Sequence, residues 1–290
     1  MTMTKSLLTA ALAAATLGVA ASTMALTFTD GGLTGSIEIN GTVDAPTSTN
    51  YWQWAAGDAI SFPAIPVTQM TNNYKTLTLH AASNLPLLVG QTKAATMGSF
   101  GNVGLNPQIT FTNAAGFRLT PVWDNSGNTG TGTITLPVTA ADGITELGSM
   151  SMRVKVGAVR AETVMANGTT ELFSTSATVG SDVTLYGEEV QPSPAGALAT
   201  GSSAAGWNAV LGAKSSTDLR DQLNAASGLS TTTWAVDSLS NARGFSSLNY
   251  YSGSYGLGIT QGADIVVTFT DPITVTTFWK APLNMMVTYL

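Results

Sequence analysis

One histidine and no cysteine limit the chemistry open to this 290-residue chain. Zinc sites and His-dependent nucleophiles each need several such residues brought together. His80 stands alone on the polar side of an alternating run and reads as an ordinary surface residue. No Gly-X-Ser-X-Gly elbow occurs. Gly127, Gly130 and Gly132 have glycine-loop spacing, but no strand–helix–strand unit surrounds them, so no dinucleotide site follows. The 17 acidic residues could in principle furnish a glycosidase pair, yet no two stand out. Asn40-Gly41-Thr42 and Asn167-Gly168-Thr169 fit the glycosylation sequon, and their Asn-Gly cores are better explained as turns. No metal site or cofactor motif is visible. The residues point away from an enzyme.

Binding chemistry has better material. A sugar site uses an aromatic face for ring C–H groups and neighbouring amides for hydroxyls. Trp207, Asn208, Tyr250, Tyr251 and Tyr255 have that chemistry. The three tyrosines lie in a Ser/Gly-rich stretch, which suggests exposure. Trp207 has a second and commoner reading, as the core anchor of a helix. Charged residues are 10% of the chain, and the net charge is −6. Lys5 is the one charge among the first 25 residues, so the remainder carries −7. With no cluster of Lys and Arg, nucleic-acid binding is excluded.

The two ends are distinctive. Residues 1–25 have the form of a secretory signal: Lys5, an apolar stretch from Leu7 to Ala21, then small residues around Thr23-Met24-Ala25. That places the mature start at Leu26, outside the cytoplasm. Residues 26–43 follow, with Leu33, Gly35, Ile37 and Ile39 alternating against polar neighbours between Gly-containing turns. Such a segment suits an ordinary first strand, or a detachable strand that pairs with another molecule's sheet edge. At the other end Trp279, Ala281, Leu283, Met285, Val287 and Tyr289 alternate to the terminus. A sandwich ending this way lacks residues for its final strand and would leave an open, apolar groove, an edge that aggregates unless covered.

The elements between are mostly strands. Alternation marks Leu77–Ala81, Ile109–Phe111, Ile134–Val138 and Met150–Val156, with further strands expected at Val183–Tyr186, Ile265–Phe269 and Trp279–Tyr289. Turn signals at Asn125–Asn128, Asp142-Gly143 and Asn167-Gly168 separate them. Residues 201–229 switch to helical spacing. Trp207, Val210 and Leu211 share one piece, and Leu219, Leu223 and Ala226 share a second, capped by Ser216 or Thr217 and ended by Gly228. The expectation is an all-β, incomplete Ig-like sandwich spanning residues 44–290, with a small two-helix insertion.

The segments GSIEINGTV (35–43), WQWAAG (52–57), LPLLVGQTKAA (85–95), PQITFT (107–112), ELFS (171–174), GSSAAGWNAVLG (201–212) and KAPLNMMVTYL (280–290) resemble the FaeG-type fimbrial subunits of chaperone–usher fimbriae. The resemblance spans essentially the whole mature chain. It implies a pilin-type fold completed by a strand lent first by a periplasmic chaperone and then by the next subunit. It assigns Leu33, Gly35, Ile37 and Ile39 to the donor strand's inward positions. It assigns Leu283, Met285, Val287 and Tyr289 to the strand recognised by chaperone and outer-membrane usher. It also implies adhesion to galactose-containing host glycans through the surface around the helices. The insertion diverges beyond its beginning, so no binding residue carries over. The rival reading is a monomeric secreted glycan-binding or glycan-cleaving module.

Overall fold

The computed structural model describes residues 51–98, 104–177 and 185–289. The signal segment and the expected donor strand, including Leu33, Gly35, Ile37 and Ile39, lie outside the described residues. The first strands are β1 (Trp52–Ala56), β2 (Thr76–His80), β3 (Leu85–Thr92), β4 (Thr96–Met97) and β5 (Pro107–Thr112). Next come β6 (Arg118–Leu119), β7 (Val122–Trp123), β8 (Thr131–Ala140), β9 (Glu146–Val164) and β10 (Thr169–Ser176). Helices α1 (Gly201–Val210) and α2 (Ser216–Ser227) precede β11 (Val236–Asn241), β12 (Tyr250–Ile259) and β13 (Asp264–Phe269). Two short pieces, β14 (Trp279–Lys280) and β15 (Asn284–Tyr289), close the chain.

The fold is an all-β Ig-like sandwich with a small helical insert. The larger sheet runs β1-β3-β12-β9-β10-β11. β9 organises it: its first half pairs with β8 and β13, its second half with β10 and β12. The smaller sheet is β15-β5-β6. Between the sheets lies the main core, containing Trp52, Phe111, Leu136, Met152, Tyr255 and Phe269. Period-two alternation accounts for it, since Ile109 and Phe111, or Ile134, Leu136 and Val138, turn one face inward. Turns fall where Asn and Gly permit φ > 0, as at Asn128 (φ 52°) and Gly168 (φ 69°).

The helices cover the outer face of β9, β10 and β12 with a second core of Val159, Ala161, Leu172, Trp207, Leu219 and Leu223. α1 is capped by Thr200, whose side chain accepts from the Ser203 amide (3.1 Å). α2 is capped by Ser215, one or two residues ahead of the expected Ser216 or Thr217. Asp218 explains the shift, because at the third helical position it completes a reciprocal capping box with Ser215. Gly228 ends α2 in the left-handed conformation, φ 75°. Val210, which shares the first helical piece with Trp207 and Leu211, is exposed.

Three further expectations change. The Val183–Tyr186 strand is absent in its described part: Leu185 is in a turn, and Tyr186 makes one isolated bridge to Gln108 at φ 72°. The single strand expected at Trp279–Tyr289 is two strands in two sheets, split at Ala281-Pro282-Leu283. Pro282 lacks an amide and cannot continue a ladder. The Ser/Gly-rich stretch at Tyr250–Tyr255 is not a surface loop. It begins β12, which runs through the middle of the larger sheet between β3 and β9.

Candidate functional site

The C-terminal strand is half-bound. β15 pairs antiparallel with β5 in the register Met285↔Phe111 and Val287↔Ile109. Among the described residues, β5 is the one strand that pairs with it. Leu283, Met285, Val287 and Tyr289 are half-buried against the main core, whereas Asn284, Met286 and Thr288 face solvent. The alternation follows from the two-residue repeat of a strand laid across one edge of the core. Tyr289 is tied further in: its hydroxyl accepts a hydrogen bond from Trp54 Nε1 at 2.9 Å. Trp54 stacks on Trp52, and Trp52 meets Tyr186 edge-on (centroids 5.7 and 5.6 Å). The penultimate tyrosine thus links the smaller sheet to an aromatic cluster of the larger one.

Beside this strand opens a groove of about 1040 Å³. Its floor is the core itself: Leu77 of β2, Leu136 of β8, Met150 and Met152 of β9, and Ile265 and Phe269 of β13. One wall is the segment Gly57–Val67, and the other is Ile273–Leu283 continuing into Met285 of β15. Such a trough, floored by aliphatic side chains and bordered by a strand with one partner, can accept an extended segment carrying apolar residues at every second position. The groups lining it include Asp58 and Lys280 but no histidine. His80 lies on the surface, paired with Asp264 (Nδ1–Oδ1 2.7 Å). No group of three or more His, Asp or Glu able to hold a metal occurs among the described residues.

The chain matches the family model described as "Fimbrial, major and minor subunit" over residues 4–290. It is 32% identical over 294 residues to K88 fimbrial protein AB of Escherichia coli, an alignment covering 99% of this chain and 100% of that protein. K88 fimbrial proteins AD and AC of the same organism are 32% and 30% identical over 296 residues each, at the same coverage. The chain belongs to the fimbrial major and minor subunit family.

In this fimbrial subunit the residues singled out for a glycan do not form a surface site. Trp207 is buried, with its indole N–H donating to the Lys155 and Gly256 carbonyls at 3.1 and 3.2 Å. Asn208 is fully buried and donates from Nδ2 to Ser254 Oγ (2.9 Å). Tyr255 is fully buried, and its hydroxyl donates to the Glu189 carbonyl (2.8 Å). Tyr251 is 2% exposed and stacks on Phe245 (centroids 4.8 Å). Tyr250 alone of the five is half-buried.

Small residues explain the reversal. In β12 the side chains of Tyr251, Tyr255, Leu257 and Ile259 fill the main core. The alternate positions approach the helices: Ser252 Oγ donates to the Leu219 carbonyl, and Gly256 lies against Asn208. A Cβ at Gly157 or Gly256 would sit 2.3 or 2.5 Å from Asn208 Oδ1, too close for any side chain. Glycine is there for close approach of a helix, a requirement that leaves no hydrophobic signature in sequence.

Proposed function

We propose that this fimbrial subunit polymerises by strand donation: residues 26–43 of one copy enter the groove beside β15 of the next. The observation that carries this reading is the groove itself, floored by core side chains and bordered by a C-terminal strand that has one partner among the described residues. The donor segment has matching periodicity at Leu33, Gly35, Ile37 and Ile39. Burial of its three aliphatic side chains is worth about 1.5–3 kcal/mol each, on top of a new ladder of main-chain hydrogen bonds. A donor at one end and an acceptor at the other make a head-to-tail contact that does not close, and so a filament. Before assembly a periplasmic chaperone would guard this apolar groove by binding along Leu283, Met285, Val287 and Tyr289. Delivery through an outer-membrane usher, after export led by residues 1–25, would place the product in a surface fimbria.

The test is ladder formation by the mature chain with and without residues 26–43, each co-expressed with its chaperone. A detergent-resistant ladder is expected from the full chain and none from the trimmed one. Stable monomers from both would replace this reading with that of a monomeric glycan-binding module. Adhesion to galactose-containing host glycans is the family's second implied role. Deleting 201–229 would bare Val159, Ala161 and Leu172, so it is a poor probe of adhesion. Glycan binding by assembled fimbriae carrying Tyr250→Ala is the cleaner measurement.

A further inference from the structure

The groove is bordered by a piece of chain that is held in an unusual way. Gly57 is anchored by its amide to the Leu87 carbonyl of β3 (3.0 Å), and beyond a single 3-10 turn the Thr71 amide donates to the Thr76 carbonyl of β2 (2.9 Å). Between these anchors, residues 58–65 make no main-chain hydrogen bond among the described residues. Pro63 has no amide to offer. The side chains of Ile60, Phe62 and Ile65 are nevertheless half-buried on the core, while Asp58, Ser61 and Pro63 face solvent. Phe62 reaches the opposite wall, where its ring stacks on Trp279 with centroids 6.5 Å apart and planes inclined by 23°. Both rings line the groove.

A segment tied at its start to β3, unpaired along its backbone and seated by three apolar side chains, is poised to move. Its attachment to the body is the weakest kind in a β protein, since displacing it breaks no ladder. Phe62 and Trp279 line the same groove as Leu136, Met152 and Phe269, so their stacked rings take up room that an incoming strand's side chains would need. We propose that Gly57–Pro66 is a displaceable strap, and that the Phe62–Trp279 clasp must part before a donor strand can seat. This rests on the strand-donation reading given above. The strap covers apolar floor in the unassembled subunit and so slows unguided association. It yields to a strand that supplies both apolar side chains and a hydrogen-bonding backbone.

The absence of cysteine makes the test clean. Phe62→Cys and Trp279→Cys are introduced together in the full mature chain and joined by a disulfide-containing bismaleimide. The joined protein is expected to form no detergent-resistant ladder, and reductive cleavage of the linker to restore it. A ladder from the joined protein equal to that from the cleaved protein overturns the strap. No ladder from the wild-type protein sinks strand donation itself, and the strap with it; a wild-type ladder with none from the cleaved protein makes the two rings part of the seat and overturns the strap. Phe62→Ala alone is the second variant. It is expected to form the ladder several-fold faster with the same final extent. An unchanged or slower rate makes Phe62 a fixed wall and overturns the proposal.

Discussion

Glu189 gives the sharpest test of how the sandwich is held together. Its side chain is fully buried. Neither carboxylate oxygen has a hydrogen-bond partner among the described residues. Arg118 is the nearest cation, but its Nη2 stands 3.6 Å from Glu189 Oε1 and is engaged by Glu188 at 2.7 Å. Burial therefore outweighs the attraction of Arg118, with Glu188 adding a little repulsion, and the carboxyl is pushed from 4.5 up to about 7. A raised acid constant means that the folded state prefers the protonated form. Its contribution is fully present below pH 4.5 and is lost as pH rises through about 7. At about 1.4 kcal/mol per unit, the loss across that window is roughly 3 kcal/mol. Glu189→Gln keeps the shape and removes the charge. At pH 5 the variant and the wild-type monomer should melt nearly together. At pH 8 the variant should melt higher by roughly 6–12 °C, taking 2–4 °C per kcal/mol for a domain of this size. A difference that stays constant from pH 5 to 8, or a variant less stable at pH 8, would refute the reasoning. Either result would mean that Arg118 holds Glu189 as a charged partner.

Gly157→Ala should lower stability by about 1–3 kcal/mol, because the added methyl would meet Asn208 Oδ1 and the Ala204 carbonyl and lift α1 from the sheet; the thermal midpoint measures it. Tyr289→Phe removes the acceptor for the half-buried Trp54 indole and should cost about 1 kcal/mol, read as a lower denaturation midpoint and a changed Trp emission. Ser215→Ala breaks the capping box of α2 and should cost about 1 kcal/mol, with faster amide exchange confined to the first turn of that helix.

What was legible in the sequence is what repeats locally. Alternation at Ile109–Phe111, Ile134–Val138 and Met150–Val156 corresponds to β5, β8 and β9. Gly228 was readable as the end of α2, whereas its start, expected at Ser216 or Thr217, lies at Ser215, where Asp218 completes the capping box. The half-buried register of Leu283, Met285, Val287 and Tyr289 was readable for the same reason, since a strand repeats every two residues whatever it packs against. Partners distant in the chain were not readable. Nothing local distinguishes a Ser/Gly-rich loop from β12, because small residues are needed there only where α1 and α2 lie against the sheet. The split of the last strand between two sheets, the burial of Glu189, and the stacking of Phe62 on Trp279 across the groove likewise depend on chain segments far apart. Periodicity determined which residues form strands and helices and which faces are apolar. Tertiary packing alone decided which apolar faces are covered, because burial is a property of what arrives from elsewhere in the chain.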